Sequence, residues 1–346
     1  MVAKPLKIGN KTLKLRKTII NPDVKSKTVL TDNIFDYVEL CIKRGKLKNK
    51  QTATVLAFWH QSKEFYNIFP KVSKPAKPLI AYYCFLNATK ALLEYHNISY
   101  QEFHGVSGSS SGNASLTHEE IRFHTTGILP ALSSYFKEEE TTTDYKLKDI
   151  LYNIPYIHRA YCLSYKGTTE LFVPIKDSQY IYEDSVKKAY LQFELDFKKR
   201  NSRFIKTLPK EFEVNTNPSL SDKFFVRCKK RFKMSNQTDL TKFYNYNTTL
   251  RLNLFYIAGP QRLWYLKRNV TNSSSIINRF SPTLTFAVMH KLSELSRYNP
   301  DRLESIFNSQ MGWVINEFIE MAPYQFIDEI SSEITKQEIM PPLIRK

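Results

Sequence analysis

The hydrophobic period of this chain changes twice, and that restricts its fold more than any single motif does. From Asp32 apolar residues recur at helical spacing, with Ile34, Phe35, Val38 and Leu40 to Ile42 following the N-cap candidates Thr31 and Asp32. A second helix is expected over about 49–68 (Val55, Phe58, Trp59, Phe65, Ile68), stopping before Pro70. A third runs from Pro78 to about Tyr95. Shorter helices are expected around 117–124 and 146–163, with Glu138 to Glu140 as an exposed acidic turn between them. From about 168 the period becomes two. Tyr190 to Phe197 alternates cleanly, and 170–175, 224–232, 250–258 and 263–267 read as further strands, separated by Asn/Ser/Thr-rich loops at 215–222 and 234–247. Helical spacing returns at Ser281-Pro282 and continues through Trp313 and Phe318, with a last helix expected after Pro323. Strands of this length joined by short polar loops pair antiparallel, so the expected class is α+β. The expected organisation is a basic lead-in (1–30), a helical half (31–163), an inserted antiparallel β module (164–270) and a second helical half (271–346).

Charge is segregated along the same lines. Residues 1–50 hold 13 Lys/Arg against 4 Asp/Glu, residues 51–163 hold 10 of each, residues 164–270 hold 21 against 10, and residues 271–346 hold 7 against 9. A one-signed field confined to part of a molecule attracts polyanions. The expected partner is therefore nucleic acid, DNA or RNA, or an acidic protein, within a possible homo-oligomer or multi-subunit complex. The four cysteines are dispersed in apolar runs, as buried free thiols are, and no metal site or cofactor is expected. Residues 1–7 lack a signal-peptide core and no apolar run is long enough to span a bilayer, so no membrane is expected as a partner and the expected location is cytoplasmic.

Several short segments resemble the YaaC-like protein family: Trp59 and Tyr66, Pro78 to Tyr83 with Asn87 and Lys90 to Leu92, His104-Gly105, and Leu292, Leu295 and Ser296 to Pro300. The resemblance implies a helical HEPN-like core carrying the inserted antiparallel β module, and a binding or assembly role in a bacterial defence setting. Nuclease members of the HEPN group carry an Arg and a His four to six residues apart. Here Arg122 and His124 are too close, and Arg279 and His290 too far apart.

The sharpest nucleic-acid candidate is Arg227, Lys229, Lys230 and Arg231, where alternate residues of a strand would track phosphates. Lys198, Lys199, Arg200 and Arg203 extend it, and Tyr244 and Tyr246 could stack bases. A charged outer sheet face that blocks aggregation explains the same residues. Glu120 and His124 would share a helix face as a proton-transfer pair, making a nuclease or toxin-type effector the rival function. Glu194 and Asp196 could hold a divalent cation on a nuclease strand, and the Ser/Gly loop after His104 could cradle a phosphate or be a plain connection. Asn87, Lys90, His104 and Arg297 complete the candidate polar residues, helix packing and helix-end ties being their alternative roles. A structural subunit docking an acidic protein is the third reading. No motif names a reaction.

Overall fold

The computed structural model describes residues 3–138, 141–195, 205–215, 224–234, 240–259, 263–270 and 275–342. In chain order the helices are α1 (Ile34–Arg44), α2 (Asn49–Ile68), α3 (Lys77–Tyr95), α4 (Ile128–Phe136), α5 (Leu147–Tyr152), α6 (His158–Ser164), α7 (Leu240–Leu250), α8 (Ser281–Tyr298), α9 (Pro300–Phe307) and α10 (Gly312–Thr335). The strands are β1 (Ala3–Pro5), β2 (Lys7–Ile8), β3 (Lys11–Thr12), β4 (Val29–Leu30), β5 (Val106–Ser110), β6 (Glu119–Phe123), β7 (Thr143–Lys146), β8 (Phe172–Glu183), β9 (Lys188–Leu195), β10 (Phe212–Val214), β11 (Phe225–Cys228), β12 (Phe232–Lys233), β13 (Leu254–Ile257) and β14 (Leu263–Lys267), with a final short strand at Ile339–Met340. The chain divides into two compact units: a sheet unit of residues 1–29, 170–274 and 336–340, and a helical unit made of most of the rest.

The helical unit is built around α3 and α8. Along α3, Ala81, Tyr82, Phe85, Ala88, Ala91 and Leu92 have no exposed surface, and along α8 Leu284, Phe286, Val288, Met289 and Leu292 have none either. Each Leu, Val, Met or Phe among them contributes roughly 1.5–3 kcal/mol of burial, and each alanine methyl less. Phe85 stacks on Phe326 of α10 at 4.2 Å, and Tyr82 meets Phe286 edge-on at 5.5 Å. Trp59 of α2 is fully buried and donates its indole N–H to the Phe35 carbonyl at 3.0 Å, which ties α2 to α1. The break expected at Pro323 does not occur, and α10 runs through it. The missing hydrogen bond and ring clash cost about 3 kcal/mol, outweighed by the buried stripe of Val314, Phe318, Phe326 and Ile330.

Three local expectations are corrected here. Residues 119–123 form a strand, not a helix, flanked by β5 and β7 in a three-stranded antiparallel sheet. The alternating burial of Glu119 to Phe123 shows that period two governs this stretch. The Ser/Gly segment after His104 is largely strand β5, not an open loop. Glu138 is no exposed turn residue: its side chain is fully buried and accepts from the Phe280 N–H at 2.6 Å and Thr283 Oγ1 at 3.0 Å, with Arg279 Nη1 at 3.2 Å. It caps α8, whose free N–H groups favour an anion. Glu139 and Glu140 lie outside the described residues.

In the sheet unit the path is β10-β11-β9-β8-β14-β13, all antiparallel, with β1 added to β8 and β12 to β9. Strand β9 buries Ala189, Leu191, Phe193 and Leu195 in alternation as its sequence predicts, with Tyr190 on the other face buried as well. Residues 3–29, basic in sequence, bury Leu13, Leu15, Ile19 and Val24 within this unit. Arg251 Nη2 donates to the Lys17 carbonyl at 3.1 Å, and Asn247 Nδ2 donates to the Ile19 carbonyl at 3.1 Å. Part of the segment expected as a 234–247 loop is helix α7, because Phe243, Tyr246 and Leu250 form a buried stripe at helical spacing. No helix among the described residues is long and apolar enough to cross a membrane.

Candidate functional site

Two sets of polar side chains stand out, one in each unit. In the sheet unit, the segment holding Arg227 to Arg231 is not one continuous strand: β11 ends at Cys228 and β12 begins at Phe232. Both arginines lie over the outward ring of Tyr190, at 5.9 and 5.2 Å. Both are also engaged by carboxylates, Arg227 by Glu213 at 2.8 Å and Arg231 by Glu183 at 2.5 Å. Lys229 and Lys230 are exposed between the two strands. In register, Lys233 of β12 faces Lys188 of β9, and Lys187 sits in the adjoining turn, its carbonyl accepting from Met234 N–H. None of Lys187, Lys188, Lys229, Lys230 and Lys233 forms an ion pair among the described residues, although Lys188 stands in register between Glu183 of β8 and Lys233 of β12. Lys198, Lys199, Arg200, Arg203 and Asp196 lie outside the described residues. Tyr246 is unavailable for base stacking, since it is buried against Phe232 and its hydroxyl accepts the Leu191 N–H at 2.9 Å. Tyr244 is half-buried on the same helix.

In the helical unit, Glu120 and His124 do not form a helical i,i+4 pair. On an extended chain four residues span roughly 13 Å, and Arg122, two residues from each, shares their face. Each has other company: Glu120 is opposite Lys146 and accepts from Ser109 at 3.4 Å, His124 Nε2 is 2.8 Å from Ser107 Oγ, and Arg122 binds Asp144 through two bonds of 2.7 Å. Among the described residues no three His, Cys, Asp or Glu side chains converge as a metal site. The four cysteines are free, Cys84 and Cys228 buried and Cys41 and Cys162 half-buried.

His104 and its surroundings form the second set. The turn that carries it is shaped by Gly105 (φ 73°) and Gly127 (φ 114°), which approach so closely that a Cβ on Gly127 would fall 2.6 Å from the Gly105 Cα. A Cβ on Gly105 would fall 2.3 Å from Pro130. His104 Nδ1 lies 2.5 Å from the hydroxyl of Tyr82, a residue with no exposed surface. Its ring stands 5.1 Å from that of His290, which meets Tyr82 edge-on at 5.0 Å. Burial first, then the positive charges of Arg297 and Lys90, lowers the His104 pKa. Burial, helped by His104, Arg297 and Lys291, pushes His290 down to about 3. His290 Nδ1 is buried without a hydrogen-bond partner, and Glu294 Oε1 is 3.9 Å away. Burial raises the Glu294 pKa, partly offset by Lys291, the Gly108 N–H and Arg297.

Beneath this lies a buried ionic clamp. Glu119 of β6, with no exposed side-chain surface, receives Lys291 Nζ at 3.1 Å, Arg302 Nε, and Ser110 Oγ at 2.6 Å. Arg302 also donates to the carbonyls of Ser111, Gly112 and Asn113 at 2.8–3.1 Å, and Lys291 donates to that of Ser109 at 2.8 Å. These cations hold carbonyls; the backbone that could have cradled a phosphate through its N–H groups is instead paired with β6, and the Ser111 N–H donates to the His118 carbonyl at 3.0 Å. At Gly108 a Cβ would sit 2.3 Å from Glu294 Oε2 and 2.4 Å from Lys291 Cδ, so any other residue there would displace these two side chains.

Of the residues nominated from sequence, Lys90, His104 and Arg297 share one electrostatic neighbourhood. Asn87 is buried on α3 and bonds back to the Tyr83 carbonyl at 2.9 Å. Lys90 Nζ lies over the Phe58 ring, and Arg297 Nε donates to the Ser293 carbonyl. Sequence reasoning did not nominate Tyr82, Glu119, His290, Lys291, Glu294 or Arg302 as site residues. One signal was present: His290, Glu294 and Arg297 at i, i+4 and i+7 share a helix face.

The sequence pattern of the YaaC-like protein family matches residues 25–334. The chain belongs to that family. The match includes α3, α8, the His104 turn and the strands of the sheet unit from β8 to β14, so both polar sets of this YaaC-like chain fall within the shared pattern. Searches among curated proteins and among solved structures matched nothing.

Proposed function

We propose that this YaaC-like chain is a non-enzymatic polyanion-binding protein, with nucleic acid as the partner and the sheet unit as the binding part. The observation that carries this reading is the charge of that unit: residues 1–29, 170–274 and 336–340 hold 29 Lys/Arg against 12 Asp/Glu, +17 of the chain's +18. The contact surface centres on Lys187, Lys188, Lys229, Lys230 and Lys233, because Arg227 and Arg231 are already engaged by Glu213 and Glu183. Lysines without base-reading partners bind phosphate irrespective of sequence. We further propose a HEPN-like core for the helical unit and a cytoplasmic, bacterial defence setting. The family resemblance supports both.

The test is binding of labelled duplex DNA and RNA across a salt series. Binding should weaken linearly on a log–log plot, and Gln at the five lysines should reduce the slope by roughly one per lost phosphate contact. No affinity for either nucleic acid at low salt refutes the reading. Binding only to an acidic protein would replace nucleic acid as the partner.

A further inference from the structure

The His104 set belongs to the helical unit, whereas the basic residues proposed above belong to the sheet unit. Tyr82 is fully buried, and its hydroxyl has one named partner, His104 Nδ1. Burial raises the phenol pKa, so the hydroxyl keeps its hydrogen, and a buried O–H needs an acceptor, which Nδ1 supplies when it carries no hydrogen. In the neutral ring the hydrogen then sits on Nε2, on a residue that is only half-buried. His104 therefore offers an N–H donor. Arg297, half-buried at the end of α8, adds a guanidinium that lies over the exposed Tyr298 ring at 4.8 Å and whose Nε donates to the Ser293 carbonyl, leaving the Nη groups with no hydrogen bond among the described residues. His290 supplies a third group, since its Nδ1 is buried without a partner on a residue 2% exposed. A buried orphan of this kind costs about 1–3 kcal/mol. Nothing in the packing relieves it, because Glu294 Oε1 at 3.9 Å is beyond hydrogen-bond range.

We propose that His104, His290 and Arg297 form a ligand site for a small phosphoryl oxyanion, with Tyr82 as the positioning residue that lets His104 take up a proton on binding. A guanidinium and an imidazole N–H match phosphate oxygens. Either tautomer of His290 serves, as an acceptor from a protonated ligand oxygen or as a donor to a bare one. The groups facing His104 are Tyr82 and Lys90 from α3, and His290, Glu294 and Arg297 from α8. Lys291, beyond His290, is held by Glu119. Without ligand, burial and the two cations keep His104 neutral. A bound dianion offsets Arg297 and Lys90, so the ring gains a proton from solvent at Nδ1. The phenol oxygen can then turn from donor to acceptor, which a carbonyl or carboxylate partner could not do.

Calorimetric titration of the full chain with inorganic phosphate tests the binding. A parallel titration with sulfate, which stays a dianion between about pH 6 and 8 and so contributes no proton of its own, reads the proton uptake in two buffers of different ionisation enthalpy. Saturable one-site binding with net proton uptake is expected. Arg297→Gln and His104→Gln should each weaken it about tenfold or more. Tyr82→Phe should keep most of the affinity and lose most of the proton uptake. Gln at Lys187, Lys188 and Lys233 should leave phosphate affinity unchanged while lowering nucleic-acid affinity, so each proposal can fail alone. Should His104→Gln unfold the chain, the imidazole nitrogen shifts of His104 in the wild-type protein decide, by moving or not moving when phosphate is added. The proposal is overturned by absence of saturable binding, by affinity indifferent to Arg297→Gln, or by His104 nitrogens that do not respond.

Discussion

His290 should make the helical unit acid-sensitive well above the range where carboxylates titrate. Its folded pKa of about 3 lies far below the 6.5 of an exposed histidine. Because the folded value is depressed, the unfolded chain binds the proton first as pH falls. Stability from this group is therefore complete above about 6.5, and falls through the window from there to about 3. Each pH unit in that window is worth about 1.4 kcal/mol, so moving from pH 7 to pH 5 should remove about 2 kcal/mol through His290 alone. The residue is 2% exposed, and solvent screening reduces this little. Other groups titrate across the same interval, so the comparison is with His290→Asn, which keeps a polar group and loses the titration. Urea unfolding followed by far-UV ellipticity, which reports the helical unit, should show the wild type losing about 2 kcal/mol more than the variant between the two pH values. Equal losses would mean that the imidazole takes a proton in the folded state near its ordinary pKa, and would refute the described burial.

Arg302→Ala should cost roughly 1–3 kcal/mol, because Glu119 loses one of its two cations but keeps Lys291 and Ser110, while the exposed carbonyls of Ser111, Gly112 and Asn113 turn to water. Amide exchange in β5 and β6 should accelerate more than in α3. Gly108→Ala should destabilise by about 1–3 kcal/mol, since its methyl would meet Glu294 and Lys291 inside 2.5 Å. A thermal melt unchanged from wild type would contradict that packing. Tyr135→Phe removes a buried bond of 2.6 Å to Glu333 and should cost about 1–3 kcal/mol in urea titrations, from the carboxylate left short of a donor.

Local pattern carried far in this chain where burial is one-sided. Alternation along β9 and helical spacing along α1 to α3 appear directly in the residues, because a strand buries every second side chain and an amphipathic helix every third or fourth. The same rule failed at 119–124. There Glu119 occupies an inward position, and a buried carboxylate looks like a solvent-facing one until Lys291 and Arg302 are placed against it. Glu138 misled for the same reason, its partners being the Phe280 N–H, Thr283 and Arg279, some 140 residues away.

What the sequence by itself determined is the change of period from helix to sheet and back, the YaaC-like landmarks, and the confinement of positive charge to two stretches. Composition and spacing are local properties, and they survive without coordinates. Only the tertiary structure decided that residues 3–29 join the sheet and concentrate nearly the whole net charge in one unit. It alone set Arg227 and Arg231 against Glu213 and Glu183. It alone brought His104 to Tyr82 and His290, residues separated by up to 208 positions in the chain. Electrostatic pairing and desolvation act through space over a few ångströms, and sequence distance does not record which groups come that close.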